Sequence, residues 1–253
     1  PLTLSKSKVL IFDELSLFPM KTILSLLCIC LSTAALHSQI IRVDNRGGGD
    51  FSSLQTAINS AQSGDTLYVM GSPTDYGTVR VDKKLFLFGE GHANAEGYST
   101  RLDRVYFDPG STGSMLNGFN LAYNGTSASQ VQILDDVNSI RVFNCRMNGI
   151  RGIFFDENNS YCEIRGNVIG LTSSSTAYGI NADGADHLSV SHNVLLVTTG
   201  STGWLDNFGK DNLVYNNILR TSGRPLFSGS NEVRVINNIL VSAGSSNEDF
   251  TSG

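Results

Sequence analysis

The feature of this sequence that most limits its fold is a six-residue template that recurs through its second half. It consists of a β-branched apolar residue, two variable residues, an asparagine, one variable residue and an apolar residue. The four full copies are residues 164–169, 190–195, 214–219 and 235–240, and two looser copies place Cys145 and Phe119 where the asparagine stands. Successive copies are 21 to 26 residues apart. A repeat of this length predicts a solenoid.

An asparagine between two short apolar runs suits a tight corner between strands, because its side chain tolerates the left-handed conformation and bonds nearby backbone groups. A strand–corner–strand unit cannot bury its own apolar side chains, but stacked coils pair each strand with its equivalent about 4.8 Å above and below. We therefore predict an all-β protein, a right-handed parallel β-helix with the asparagines in one column. A leucine-rich horseshoe also repeats asparagine, but it needs several leucines per repeat that this chain lacks.

A second short strand precedes each template copy. The residues expected to point inward on it lie 12 to 14 positions before the template asparagine, and they are Ile153, Ile180, Leu205 and Leu226. Alternation along a strand then places the next residues outward in one row, namely Phe154, Asn181, Asp206 and Phe227.

The first forty residues have the features of a processed segment. Residues 1–19 contain no methionine, and we interpret them as an upstream or mis-started segment. Residues 20–38 combine a short basic start, an apolar stretch too short to cross a bilayer and small residues, which is typical of a secretory signal peptide. A retained membrane anchor is the alternative. Residues 39–253 are expected to form a single β-helix domain, cut short at its C-terminus because no terminal cap follows the last repeat.

A helix that caps the solenoid is predicted near the start of this domain. Apolar residues recur at helical spacing within residues 50–61, and Ser52 with Gln55 fits a capping box.

Composition excludes some classes of partner. The chain carries 18 basic and 23 acidic residues, and its only lysines after residue 39 are Lys83, Lys84 and Lys210. No basic stripe is present to neutralise phosphates along a strand, so nucleic acid is not an expected partner. Two cysteines, Cys145 and Cys162, remain after the signal peptide, and they form neither a disulfide framework nor a metal motif.

The opening of the domain resembles a known superfamily. Residues 43–58, 64–69 and 85–91, with the runs VD, GGGDFSSLQTAI, GDTLYV and LFLFGEG, look like the start of pectin methylesterases and other pectin-lyase-like β-helix proteins. The resemblance implies a right-handed parallel β-helix and an activity on acidic plant polysaccharides. Fold transfers across such a superfamily better than chemistry does.

The catalytic motifs of that superfamily are matched only in fragments. Residues 205–209 with Arg224 faintly resemble the esterase aspartate and arginine motifs, but they lie about one coil apart, and the glutamine motif is missing. Residues 181–186 are similar to the first aspartate motif of polygalacturonases, without a second carboxyl pair for acid–base cleavage. Residues 186–192 resemble a pectate-lyase strand, with Ser191 in place of an aspartate. We interpret His187 and His192 as solvent-facing turn residues.

One positional argument for a ligand site remains. Stacked coils would bring the outward row together with Asp156 and Asp183, which lie two residues beyond it, and with Trp204. Aromatic planes among carboxylates suit sugar rings, and Asp156 beside Asp183 could share a calcium ion. In the competing interpretation, which we favour, both aspartates only shape turns and Trp204 packs under a loop. The candidate ligand-binding residues are Phe154, Asp156, Asn181, Asp183, Trp204, Asp206 and Phe227, with calcium as the candidate cofactor at Asp156 and Asp183.

Three functions follow, and the sequence leaves them open. The leading hypothesis is an exported protein, in the periplasm, on the cell surface or secreted, that contacts polysaccharide or a surface ligand along one solenoid face, with no catalytic set and no membrane span in the mature chain. The second is a polysaccharide lyase, esterase or glycoside hydrolase with unrecognised residues or missing coils. The third is a structural spacer of a surface adhesin. An oligomeric state is not indicated.

Overall fold

The structure is a computed structural model that describes residues 38–91, 97–123, 128–171, 178–197, 205–221, 227–228 and 232–242. The chain divides into two compact units at the His37–Ser38 bond, and everything described below belongs to the second unit. This unit has its own hydrophobic core, so it is suited to folding without residues 1–37. The predicted upstream segment and signal peptide lie outside the described residues, apart from Ser38.

The described part of the chain winds into about seven turns of a parallel β-solenoid, with three sheets along its length. The strands of sheet A are β1 (Ile40–Val43), β2 (Thr66–Val69), β4 (Phe86–Gly89), β7 (Met115–Asn117), β10 (Arg141–Phe143), β13 (Glu163–Arg165), β16 (Ser189–Ser191), β19 (Asn212–Tyr215) and β22 (Val233–Ile236). Those of sheet C are β5 (Arg101–Leu102), β8 (Asn120–Tyr123), β11 (Arg146–Gly149), β14 (Val168–Leu171), β17 (Val194–Val197), β20 (Ile218–Thr221) and β23 (Ile239–Ser242). Those of sheet B are β3 (Thr78–Val81), β6 (Arg104–Phe107), β9 (Ser129–Ile133), β12 (Arg151–Phe155), β15 (Tyr178–Asn181), β18 (Leu205–Asp206) and β21 (Phe227–Ser228). From β4 onward, each complete turn contributes one strand to sheet A, then one to sheet C, then one to sheet B, whereas a helix separates β1 from β2 and no sheet C strand lies between β2 and β3.

Every sheet is parallel, and each strand pairs in register with the equivalent strand of the next coil. Val142 of β10, for example, pairs with Ile164 of β13, which pairs with Val190 of β16. All three side chains are buried. The interior is filled in this way by stacked aliphatic rows, so each coil buries its apolar side chains only against its neighbours. The predicted all-β parallel solenoid is therefore confirmed.

The template asparagines form a column at the corner between sheets A and C, in which Asn167, Asn193 and Asn217 are buried and Asn238 is partly buried. The side chain of Asn193 accepts hydrogen bonds from the backbone N–H of Asn167 (2.9 Å) and from its Nδ2 (3.0 Å), and it donates to Asn217 Oδ1 (3.0 Å). Asn217 bonds Asn238 in the same manner. Cys145 precedes the column, and its N–H donates to Asn167 Oδ1. The predicted alignment of the asparagines is confirmed.

The left-handed residue at this corner is not the one predicted. The template asparagines were expected to adopt that conformation, but positive φ angles occur one position earlier. They are found at Asn144 (50°), Gly166 (69°), His192 (56°), Asn216 (55°) and Asn237 (53°). The preceding residue makes the turn, and the template asparagine is thereby free to point inward and bond the neighbouring coils.

One helix, α1 (Leu54–Ser60), is present in the described residues, and it packs against β1, β2 and β3. It buries Leu54, Ala57 and Ile58. Ser53 is its N-cap, since the Ser53 side chain accepts from the N–H of Thr56, so the capping box expected from Ser52 and Gln55 is wrong. The Gln55 amide instead accepts from Arg80 N–H (2.8 Å) and donates to Arg80 carbonyl (3.1 Å). Gln55 therefore occupies hydrogen-bonding positions on the edge strand of sheet B.

Candidate ligand-contacting face

The outward side of sheet B carries one side-chain row that crosses successive coils. The strand register pairs Arg80 with Tyr106, Tyr106 with Gln132, and so on along the sheet. Neighbouring members lie about 4.8 Å apart along the stacking direction, the spacing of paired strands. In order, the row consists of Arg80, Tyr106, Gln132, Phe154 and Asn181, and the backbone register continues from Asn181 to Asp206 and Ser228.

Three of the predicted site residues share this row, and one does not. Phe154, Asn181 and Asp206 are aligned as expected, and the first two are half-buried. The backbone register pairs Phe227 with Leu205, and it pairs Ser228 with Asp206. The alignment of Leu226 with Leu205 was therefore wrong by one residue, because β21 is too short to show an alternating pattern. Trp204 and Leu226 lie outside the described residues.

The other members of the row were missed in the sequence. Tyr106 lies between two guanidinium groups, with Arg80 Cζ and Arg104 Cζ each 4.5 Å from its ring centroid. Arg80 is also held by Asp108 through a bidentate ion pair. The sequence does contain a signal for these strands. Val105 and Val131 lie 14 residues before Phe119 and Cys145, which is within the spacing that located the inward residues of the later upstream strands. The row therefore extends three coils closer to the N-terminus than predicted, through Gln132, Tyr106 and Arg80.

Asp156 and Asp183 lie next to each other at the end of this face. Their strands pair Phe154 with Asn181, two residues earlier in each chain segment. Asp156 accepts two hydrogen bonds from Gln132 Nε2, at 3.1 and 3.2 Å. Burial raises the pKa of Asp156, the Gln132 bonds oppose that shift, and the carboxylates of Asp135, Asp183 and Glu157 raise it further. The neighbouring carboxylates therefore repel the charged form of Asp156.

Asp183 has the geometry of a turn residue. Its φ is 40°, its N–H donates to Asn181 Oδ1, and its Oδ1 accepts from Asn207 Nδ2 at 2.7 Å. Asp183 therefore has the turn geometry that the competing interpretation of the sequence gave it. Asp156 differs, because its carboxylate bonds a side chain of the outward row instead of a turn backbone.

A polar groove lies beside these carboxylates, at the corner that follows sheet B. Its volume is about 480 Å³, and its lining residues are Glu157, Asn158, Asn159, Ser160, Asp183, Gly184 and Asp186. Nevertheless, no group of three or more acidic, histidine or cysteine side chains with metal-binding geometry occurs in the part of the chain that the structure describes. The two carboxylates of the calcium hypothesis, those of Asp156 and Asp183, are therefore neighbours, but the described residues do not complete a set of metal ligands around them.

The two histidines of the 186–192 segment are exposed at corners. His187 has φ 53° and stacks on Tyr161, with ring centroids 4.6 Å apart, while His192 has φ 56°. Their prediction as solvent-facing turn residues is confirmed.

Comparisons with known proteins add no assignment. No protein-family model matches the chain, and no curated protein matches it. Within the described residues, none of the helical structure is long and apolar enough to span a bilayer.

Proposed function

We propose that this protein binds a polysaccharide along the outward face of sheet B, without catalysing a reaction on it. The observation that carries the proposal is the in-register row that runs through Tyr106, Gln132, Phe154 and Asn181. Aromatic planes and amide groups repeat along it at the coil spacing, and a linear polymer of sugar rings offers apolar faces and hydroxyls in the same alternation. The motif fragments in the sequence include no complete catalytic carboxyl pair of the kind that acid–base cleavage needs, and this favours binding over cleavage.

The fold supports two finer assignments that belong to the same proposal. We infer a right-handed winding and a relationship to pectin-lyase-like β-helix proteins, on the strength of the N-terminal runs and the three-sheet coil. An experimental structure at a resolution that shows the hand of the coils would decide the first point.

Export is inferred from residues 20–38. The expected result is a mature N-terminus between Leu36 and Ile40 when the full chain is expressed in a secreting host and the exported protein is sequenced. A chain that keeps Met20 in the membrane fraction would contradict export of a cleaved form.

The binding test uses residues 38–253 on an array of neutral and acidic glycans, followed by titration of any hit. Phe154→Ala should weaken binding about tenfold, because an aromatic contact contributes up to about 1.5 kcal/mol beyond its buried area. Tyr161→Ala is the matched control, since Tyr161 is an exposed ring (64%) that lies outside the sheet B strands, two residues before β13. Equal loss in both variants would overturn the assignment of the face.

Two further outcomes would replace the proposal. Turnover of pectate, esterified pectin or alginate that disappears in Asp156→Asn or Asp183→Ala would show an enzyme. Asp156 is included because its raised pKa is a property of acid catalysts in glycan cleavage. Binding of no glycan by a folded protein would favour the structural spacer.

A further inference from the structure

The outward side of sheet A carries a patch of aromatic and apolar side chains from successive coils. Tyr68 pairs with Phe88, and Phe86 pairs with Met115 in the adjacent row. Phe143 lies two coils beyond Phe88 in the same row. Tyr68 is 42% exposed, whereas Phe143 is only 8% exposed because neighbouring side chains cover it. The side chains of each row lie one above another, since each of these strands pairs with the next in register.

Cations lie over the rings of this patch. Lys84 Nζ and Arg141 Cζ are each 5.6 Å from the Phe86 centroid, and Arg165 Cζ is 4.7 Å from that of Phe143. The exposed Arg42 lies beside Tyr68 at the first strand of the sheet.

Carboxylates are nearly absent from the same surface. Among the outward strand positions of sheet A that the structure describes, Glu163 is the one acidic residue, 3.6 Å from Arg165. The chain as a whole has more acidic than basic residues. The outward strand positions of this face therefore carry more basic than acidic side chains.

A guanidinium that lies over a ring can still bind phosphate oxygens through its N–H groups in a bidentate manner. On sheet A the basic groups are spread over the strands from β1 to β13, so a single small anion could reach only one or two of them. The strip is also narrow. Nine strands at about 4.8 Å and a width of three to four residues give roughly 400–500 Å², less than the roughly 800 Å² that each partner buries in a stable dimer.

We propose that the outward face of sheet A docks on an anionic lipid surface. Arg42, Lys84, Arg141 and Arg165 pair with headgroup phosphates, and the rings of Tyr68, Phe86 and Phe88 lie at the level of the headgroups. A bilayer supplies what the face matches, namely a plane of negative charge over an apolar layer. The proposed function of sheet B and this proposal for sheet A do not depend on each other.

Co-sedimentation with vesicles tests the proposal on residues 38–253. Vesicles of phosphatidylcholine alone are compared with vesicles in which a third of the lipid is phosphatidylglycerol, at low and at high salt. The protein should partition onto the anionic vesicles at low salt and be released at high salt. Equal binding to both vesicle types, or no binding to either, would overturn the proposal.

Paired arginine variants locate the surface. Arg141→Ser with Arg165→Ser should lower the partition coefficient about tenfold or more, because each basic residue near an anionic membrane adds a favourable contribution. The control is Arg101→Ser with Arg146→Ser, which removes the same charge from the outward side of sheet C and should leave partitioning nearly unchanged. Far-UV circular dichroism checks that both variants fold. Equal loss of partitioning in both double variants would show unspecific charge attraction instead. Full displacement of the wild type from the vesicles by inorganic phosphate would show a single-anion site.

Discussion

At the scale of single residues, the asparagine column links coils through side chains in addition to backbone pairing. Asn217 accepts from the N–H of Asn193 (2.9 Å) and donates to the carbonyl of Val190 (2.9 Å), and it is almost fully buried. Its amide thus satisfies backbone groups of the preceding coil that water cannot reach. The neighbouring Asn216 is exposed and makes the left-handed turn, with φ 55°, and its side chain has one long contact of 3.5 Å, to the exposed His192 ring.

This difference predicts opposite results for two adjacent substitutions. Asn217→Ala should lower the free energy of unfolding by about 3 kcal/mol, because it leaves a buried N–H and a buried carbonyl unsatisfied. Asn216→Gly should change it by no more than about 0.5 kcal/mol, because glycine adopts positive φ without strain. Urea unfolding of residues 38–253 measures both. A similar loss in the two variants would mean that the column contributes only its turn geometry.

The two cysteines are expected to be inert in the folded protein. Burial raises the pKa of both the Cys145 and the Cys162 thiol to about 12, so almost no reactive thiolate exists at neutral pH. Iodoacetamide should therefore leave both unlabelled in the native protein and label both in urea, as measured by mass spectrometry. Native labelling at the rate of an exposed thiol would contradict this assignment.

Asp156 should make stability fall as pH rises. Burial and the carboxylates of Asp135, Asp183 and Glu157 raise its pKa above the ordinary aspartate range, so the folded state binds the proton more tightly than the unfolded state. Stability is then lost between the unfolded and the folded pKa. Asp156→Asn keeps an acceptor for Gln132 and removes the charge, so we expect it to be more stable than wild type at neutral pH and to lose that advantage in acid. Asp136→Asn, an exposed carboxylate of the same corner, is the control in urea titrations at both pH values.

At the scale of elements, the sequence predicted which segments are strands better than it predicted where each begins. Repeated apolar positions such as Ile153 and Ile180 are fixed by stacking over several coils, and the structure buries both as expected. Phe227 was misplaced because two residues of β21 carry no periodicity of their own. The partners of Asp156 could not be foreseen, since Gln132 approaches from another coil and only the register shows it.

At the N-cap of helix α1, too, the sequence predicted the element better than the position at which it begins. Apolar spacing identified the helix, whereas two consecutive serines left the cap ambiguous, and the structure selects Ser53. Ser53→Ala should therefore lower the free energy of unfolding by about 1 kcal/mol, because the N–H of Thr56 loses its acceptor. Ser52→Ala is the matched control and should change it by no more than about 0.5 kcal/mol. A larger effect at Ser52 in urea unfolding would restore the capping box.

At the scale of the whole molecule, each coil contacts only its two neighbours, so a complete coil should be removable. Cys145 and Asn167 occupy equivalent corner positions 22 residues apart. Deleting Cys145 to Gly166 joins Asn144 to Asn167, and it places β8 beside β14 and β9 beside β15 with every inward row continued. We expect this variant to fold, with a smaller denaturant m-value because less surface is buried, and with one cooperative transition. The control deletes only Cys145 to Phe155, which removes β11 and β12 but keeps β13. The sheet A strands β10 and β13 would then follow each other in the chain, with no strands between them for sheets C and B. This control should not fold. Circular dichroism and urea unfolding distinguish the two. If both deletions unfold the protein, the coils are not interchangeable units, and specific contacts between particular coils must hold the solenoid together.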